Sequence, residues 1–393
     1  MAYSRTSSVT LQGAEADRGA SPARRQGGVL AAAAVAVGLV LVALPMPQWR
    51  LAVLFVLGIA LGATLYVTAF GFTSAYRSLI LRRDAGGVRA QIMMLAIATV
   101  LFAPVLAAGS VFGQSVTGAV APAGLQVAIG AFLFGIGMQL GSGCGSGSLY
   151  TAGGGNTRML VVLAAFCAGG FWASLHMGWW ARLPVWGTQA LSERLGWPAA
   201  IVLQLAVLGV LWVGLKRYAR GRLAAERSRE RLWLAGAGLL AVLNLAVLIV
   251  AGHPWTITWA FTLWGAKIAQ FAGWDAASSA FWSSPFQREA LAGSVLADVT
   301  SLMNIGILIG ALAGAGVAGR FAPRLAFTPR LVASAVIGGL VMGYGARIAF
   351  GCNIGAFFSG VASMSLHGWL WIAAALPGNI VGVRLRPWFG LEN

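Results

Sequence analysis

The chain has 393 residues, 59% of them hydrophobic and only 9% charged, against about 25% charged in an ordinary soluble domain. Its mean hydropathy is +0.80, and a formal net charge of +17 sits on that apolar background. A soluble globular fold is excluded, and an all-α polytopic membrane protein is expected. The charge does not indicate nucleic acid as a partner, because the arginines lie between apolar runs and no nucleic-acid-binding motif accompanies them. Membrane lipid is the expected surrounding.

In chain order, residues 1–27 are small, polar and basic and read as a disordered tail. Gly28 to Pro45 is apolar behind Arg24 and Arg25, but no small-x-small cleavage site follows, so it reads as a first membrane helix rather than a signal peptide. Long uncharged runs follow at 51–76, 90–135, 159–181, 232–252, 299–319 and 331–346. In all, about eleven apolar segments approach the roughly 20 residues that cross a bilayer core. Arg77, Arg82, Arg83 and Arg89 form one basic loop, and Lys216 to Arg231 a second, as cytoplasmic loops do under the positive-inside rule. Simple counting of spans leaves Arg320, Arg324 and Arg330 on the outer side, against that rule. A broken or re-entrant segment in the second half would repair this.

The order of features recurs on either side of the second basic stretch. The expected organisation is a first repeat at 28–215, a connector at 216–231, a second repeat at 232–386 and a short tail at 387–393. Ala69-Phe70-Gly71-Phe72-Thr73-Ser74-Ala75 finds a counterpart in Ala260-Phe261-Thr262-Leu263-Trp264-Gly265-Ala266. The strongest match is a pair of Gly-Cys motifs, Gly143-Cys144-Gly145-Ser146-Gly147 and Gly351-Cys352-Asn353-Ile354-Gly355. In each, one glycine stands seven positions before the cysteine, one directly before it and one three after it. Transporters are often built from parallel or inverted repeats with the substrate site between them. An inverted pair is the expectation here, with broken or re-entrant helices meeting at a central pathway.

Clustered glycines make a poor continuous helix, each being roughly 1 kcal/mol less favourable than alanine. Unwound backbone within a membrane is tolerated only where protein buries it or a polar cavity solvates it. The chain is therefore expected to break at Cys144 and Cys352, and the breaks to line a pathway. Amides at helix starts and in glycine turns bind anions. Arg347 precedes Cys352 by five residues, and a charge within an apolar run is functional by default; Gln139 occupies the equivalent place in the first repeat. The plain alternative is that the glycines serve helix packing and the cysteines are small apolar residues, but two sites in register weigh against it. Cys167 has no counterpart and reads as packing. His176, His253 and His367 fall near helix ends and are expected at the interface. Lys267 and Asp298 stand between an interfacial and a pathway role.

A thiol is a weak donor with a soft sulfur, which suits a path where a ligand must enter and leave. No base adjoins either cysteine, and no cofactor, metal or nucleotide motif is present, so catalysis is not expected. A membrane dithiol redox protein and a transporter of a soft metal, or of another sulfur or selenium species, are the alternatives.

On these motifs the chain resembles the YeeE/YedE family of sulfur transporters. The resemblance implies an hourglass-like protein of the bacterial inner membrane, with internal pseudo-symmetry and helical loops meeting at the centre. It implies thiosulfate as the substrate, passed between cysteines by weak S–H hydrogen bonds, with Cys144 and Cys352 as two of them, and a cytoplasmic sulfur-carrier protein as a partner. The substrate-binding set is then Cys144 and Cys352 with Gly143, Gly145, Gly147, Gly351, Asn353 and Gly355, while Arg347, Gln139 and Arg77 offset or orient the charge. The family's third cysteine lies early in the chain in a pattern like Arg-Phe-Cys-Leu-Thr-Gly-Gly-Phe-Arg. Here the matching segment keeps Phe70, Thr73 and Arg77 but places Gly71 at the cysteine.

Overall fold

A computed structural model describes residues 22–44, 49–219, 224–321, 323 and 328–393. Residues 1–21 of the expected tail, the tip of the basic connector and Arg324 lie outside the described residues, while residues 22–27 already belong to the first helix.

The first half contains α1 (Pro22–Ala43), α2 (Trp49–Thr68), α3 (Phe72–Arg82), α4 (Gly86–Ala108), α5 (Leu125–Gly141), α6 (Gly145–Gly153) and α7 (Arg158–Ser174). The short helices α8 (Met177–Trp180) and α9 (Leu191–Leu195) precede α10 (Trp197–Tyr218). The second half contains α11 (Ala224–Ala251), α12 (Thr258–Phe271), α13 (Pro285–Ala292), α14 (Val299–Val317), α15 (Pro329–Ile348), α16 (Ser359–Ala362) and α17 (Leu366–Leu385). A π-helix, Asn353–Phe358, links Cys352 to α16. Four strands of two to four residues make two antiparallel ribbons between helices. Much of the expected connector is helical, because α10 carries Lys216 and Arg217 in its last turn and α11 begins at Ala224.

Nine stretches among the described residues are long and apolar enough to cross a membrane, and α7 adds a shorter apolar helix. The protein is thus an all-α multi-pass membrane protein. Three of the nine stretches are interrupted: Trp49–Arg82 at Gly71, Leu125–Gly153 at Cys144 and Pro329–Ala362 at Cys352.

Small residues set the helix spacing. With little hydrophobic drive between helices in lipid, close backbone approach supplies the attraction. Along α2 and α14, Gly58 lies against Met303 and Gly62 against Ile307, and a Cβ on Gly62 would run into the Ile307 carbonyl. Residue numbers rise together in these contacts, so α2 and α14 are parallel. The chain leaving α14, with Arg320, therefore emerges at the end of the molecule to which α2 descends.

The packing between halves is reciprocal. At the offset that carries Cys144 to Cys352, Gly130 corresponds to Gly338 and Gly137 to Gly345. Gly130 lies against Gly345 and Gly137 against Gly338. In the same way Gly343 meets Gly170 while Gly135 meets Gly378. The register also runs in opposite senses along α5 and α15, since Gln126 donates to the Ile348 carbonyl while Gly141 lies against Gly338. Two sequence-matched helices that cross antiparallel are what an inverted duplication requires.

Candidate substrate pathway at the helix breaks

Three breaks share one backbone pattern. A non-glycine residue in the left-handed region stands two positions before an extended residue that caps the next helix. Ala69 (φ 48°) precedes Gly71, Ser142 (φ 63°) precedes Cys144, and Phe350 (φ 56°) precedes Cys352. Left-handed residues other than glycine and asparagine are uncommon and store strain, which concentrates at functional sites. Gly351 at φ 147° follows Phe350, and a Cβ there would also stand 2.7 Å from the Ala356 nitrogen. Gly143 is held as tightly, its Cβ position being 3.0 Å from Ser148 Oγ. These two glycines let the chain reverse in a single residue.

The cysteines themselves are helix caps. Cys144 Sγ accepts from the Gly147 N–H at 3.4 Å, and Ser146 Oγ lies 3.4 Å from the sulfur. Cys352 Sγ accepts from the Ile354 N–H at 3.5 Å. Both thiols are free, as is Cys167, and both are fully buried. Because α5 and α15 are antiparallel, their last residues lie toward opposite ends of the pair. Yet Cys352 Sγ is 3.5 Å from the point where a Cβ on Gly145 would stand. Each loop must therefore fold back toward the middle, where they meet. Ile257 and Phe261, at the start of α12, close the same spot. Among the described residues, an added Cβ on Gly147 would have only Cys144 Sγ within 4 Å, at 3.4 Å, and one on Gly355 only Thr256, beyond 3.5 Å. Gly147 thus leaves room beside the Cys144 sulfur.

The surroundings are polar and incompletely paired. The Tyr76 hydroxyl and the Asn353 carboxamide are buried facing each other without a hydrogen bond of good geometry, and Ser148 Oγ and Thr73 Oγ1 are buried without a partner. Buried polar groups are nearly always hydrogen-bonded, so several orphans in one place call for an occupant. Tyr76, Ser146, Ser148 and Tyr150 were not singled out from the sequence. The Ser-x-Ser run after Cys144 was the available signal, since two hydroxyls inside an apolar span are as conspicuous as the cysteine.

The remaining expected residues separate. Gln139 is buried beside this region but engaged elsewhere: it donates to the Thr73 carbonyl (3.1 Å) and to Asn379 Oδ1 (2.7 Å), tying α5 to α3 and α17. Arg347 is not drawn to Cys352; its guanidinium lies 5.1 Å from the centre of the Phe281 ring, with Nε buried and unpartnered. Arg77 lines a cavity of about 300 Å³ at the first break, together with Gly71, Gln91 and Tyr150. Lys267 donates to the Leu291 and Gly293 carbonyls, both at 2.7 Å, and so caps α13. Asp298 caps α14 through the Ser301 N–H (2.7 Å) and accepts from Trp259 (2.9 Å). His367 departs from the interfacial expectation. It is 1% exposed and bonded to Ser365 Oγ at 2.8 Å, because Gly360 leaves room for the ring between α16 and α17. Arg386, also unanticipated, pins the break at Cys144 by donating to the Gln139 carbonyl (2.7 Å) and Ser142 Oγ (3.1 Å). Among the described residues no group of three or more His, Cys, Asp or Glu side chains is placed to hold a metal ion.

Comparison with known proteins gives the family of the chain. Residues 67–381 match the sulphur transport family. The thiosulfate transporter TsuA of Spirochaeta thermophila is 29% identical over 348 residues, covering 82% of this chain and 94% of the relative. Its Escherichia coli K12 namesake is 25% identical over 287 residues, covering 67% of this chain and 74% of the relative. The probable transporter YedE of E. coli K12 is 33% identical over 148 residues, and the match spans 38% of this chain and 35% of YedE's length.

Proposed function

The chain belongs to the sulphur transport family, and on that premise we propose that it carries thiosulfate inward across the bacterial inner membrane, handing it between Cys144 and Cys352. It is a transporter of a sulfur-containing anion rather than an enzyme, as are the relatives it resembles. The finer reading rests on one observation above all. Two chain breaks that begin at opposite ends of an antiparallel helix pair fold back so that Cys352 Sγ adjoins Gly145, the residue next to Cys144. A thiol already accepting a backbone N–H keeps its own S–H free to donate, and weak donation suits a ligand that must move on. The orphaned groups of Asn353, Tyr76 and Ser148 supply further partners as the anion passes.

In this reading the two halves are inverted repeats. The end that carries Arg82, Arg83, Arg320 and Arg330 faces the cytoplasm by the charge rule, and the vestibule at Gly71 opens there, where a sulfur-carrier protein would receive the substrate. Lipid covers the exposed apolar faces of α1, α2 and α10, such as Val42, Val56 and Val210. The test is growth on thiosulfate of a strain lacking other sulfur-uptake routes. Cys352→Ala is expected to abolish growth while the protein reaches the membrane in normal amount; normal growth would refute the relay.

A further inference from the structure

The vestibule at the first break differs from the two cysteine sites in a way that assigns it a ligand. Cys144 and Cys352 each cap the helix they begin with their own sulfur. Gly71 caps the 11-residue α3 with no side chain, so no side chain accepts from the amides of the first turn, where the Ser74 hydroxyl donates to the Gly71 carbonyl at 3.3 Å. The uncapped turn opens through Gly71 and Ser74 onto the cavity of about 300 Å³. A Cβ added to Gly71 would stand 2.8 Å from Ser74 Oγ and 3.3 Å from the Tyr150 hydroxyl, so hydroxyl oxygens fill the space a thiol would take. On the facing wall Gln91 is 2% exposed, and neither its amide nitrogen nor its oxygen has a partner. Arg77 lines the same cavity with Nη1 buried and unpartnered, and Arg82 and Arg229 add positive charge at its rim. Among the described residues that line it the one carboxylate is Asp84, which accepts from the Gly86 N–H at 2.9 Å.

We propose that this vestibule is an oxyanion-binding station that grips its ligand through oxygen atoms, with Gln91 and Arg77 as the principal donors. Carboxamide, guanidinium, phenol and helix-start amides are hard donors matched to sulfonyl or sulfate oxygens, whereas soft thiols favour a terminal sulfur. The vestibule therefore takes sulfate as readily as thiosulfate, and discrimination between the two belongs to the cysteines. The choice of ligand rests on the sulfur-anion reading above; the site itself does not depend on transport.

The test is binding of radiolabelled sulfate to the purified full-length protein, at constant ionic strength balanced with chloride. Saturable binding is expected. Gln91→Leu removes both polar atoms and Gln91→Glu keeps the shape while repelling anions. Each should weaken sulfate binding about tenfold or more, the effect of losing a hydrogen bond to a charged group. Cys144→Ala and Cys352→Ala should leave sulfate binding within about twofold while abolishing thiosulfate uptake. Unfolding temperature without ligand confirms that the variants are folded. Absence of saturable binding in the unmodified protein, or folded Gln91 variants that bind normally, would overturn the assignment. Gln91-dependent sulfate binding in a protein that fails to take up thiosulfate would keep the station and reject the transport reading.

Discussion

Cys144 and Cys352 sit in nearly the same backbone and in different surroundings. Cys144 opens a regular α-helix, with the Ser146 hydroxyl at its sulfur and Ser148 one turn on. Cys352 opens a π-helix buttressed by aromatics: Phe357 stacks on Trp371 at 13° between planes, and Trp371 donates to the Gly351 carbonyl at 3.2 Å. π-Turns are rare and gather at functional sites. In the inverted-repeat reading proposed above, both halves keep the reversal of the chain and the thiol, while hydroxyls adjoin one site and aromatic rings buttress the other. On the proposed route the anion would meet two unlike stations, Cys144 beside the Ser146 and Ser148 hydroxyls and Cys352 in a loop held by aromatic rings.

Each side of that contrast can be broken separately. The largest effect is expected from Gly145→Val, which puts branched carbons between the two loops, where a Cβ would already be 3.5 Å from Cys352 Sγ. Thiosulfate uptake should fall to background in a protein that elutes normally on size exclusion. Next, Trp371→Phe removes the donor to the Gly351 carbonyl and leaves that buried acceptor unsatisfied, a loss of about 1–3 kcal/mol. Maleimide labelling of Cys352 should quicken while that of Cys144 does not, and uptake should drop about tenfold. Equal acceleration at both cysteines would mean that the loops are one rigid unit. Smaller again, Ser146→Ala should lower uptake roughly two- to threefold, as the loss of one modest hydrogen bond does. Cys167→Ala, at the bottom of the scale, should leave uptake unchanged, because Cys167 lies along α7 and caps no break.

What was legible beforehand follows from physics that acts locally. Apolar run length gave the membrane helices, and glycine clustering around matched cysteines gave the two breaks, since neither depends on which helices are neighbours. Gly71 was seen only as a missing cysteine, whereas the chain keeps the break there with Ala69 in the left-handed region. Nothing in the propensity of alanine announces that conformation. Gln139 and Arg347 occupy matched positions but face different partners, Thr73 and Asn379 against Phe281, so register alone did not fix their roles. In the sequence Lys267 and Asp298 stand between an interfacial and a pathway role, because a charge in an apolar run is expensive. Their expense is met by carbonyls and amides at helix ends, which only the tertiary arrangement brings within reach. Gln91 was invisible for the opposite reason: one amide in a long helix has no sequence signature until a cavity forms in front of it.

The central claim is that both thiols touch the carried anion, and a structure of the protein with thiosulfate bound tests it most directly. The account predicts density for the anion between the Gly-Cys loops, its terminal sulfur in contact with the sulfur of Cys144 or Cys352 and its oxygens toward Asn353, Tyr76 or the Ser146 and Ser148 hydroxyls. Thiosulfate bound along a route that bypasses both cysteines, with the loops packed closed around empty space, would contradict it.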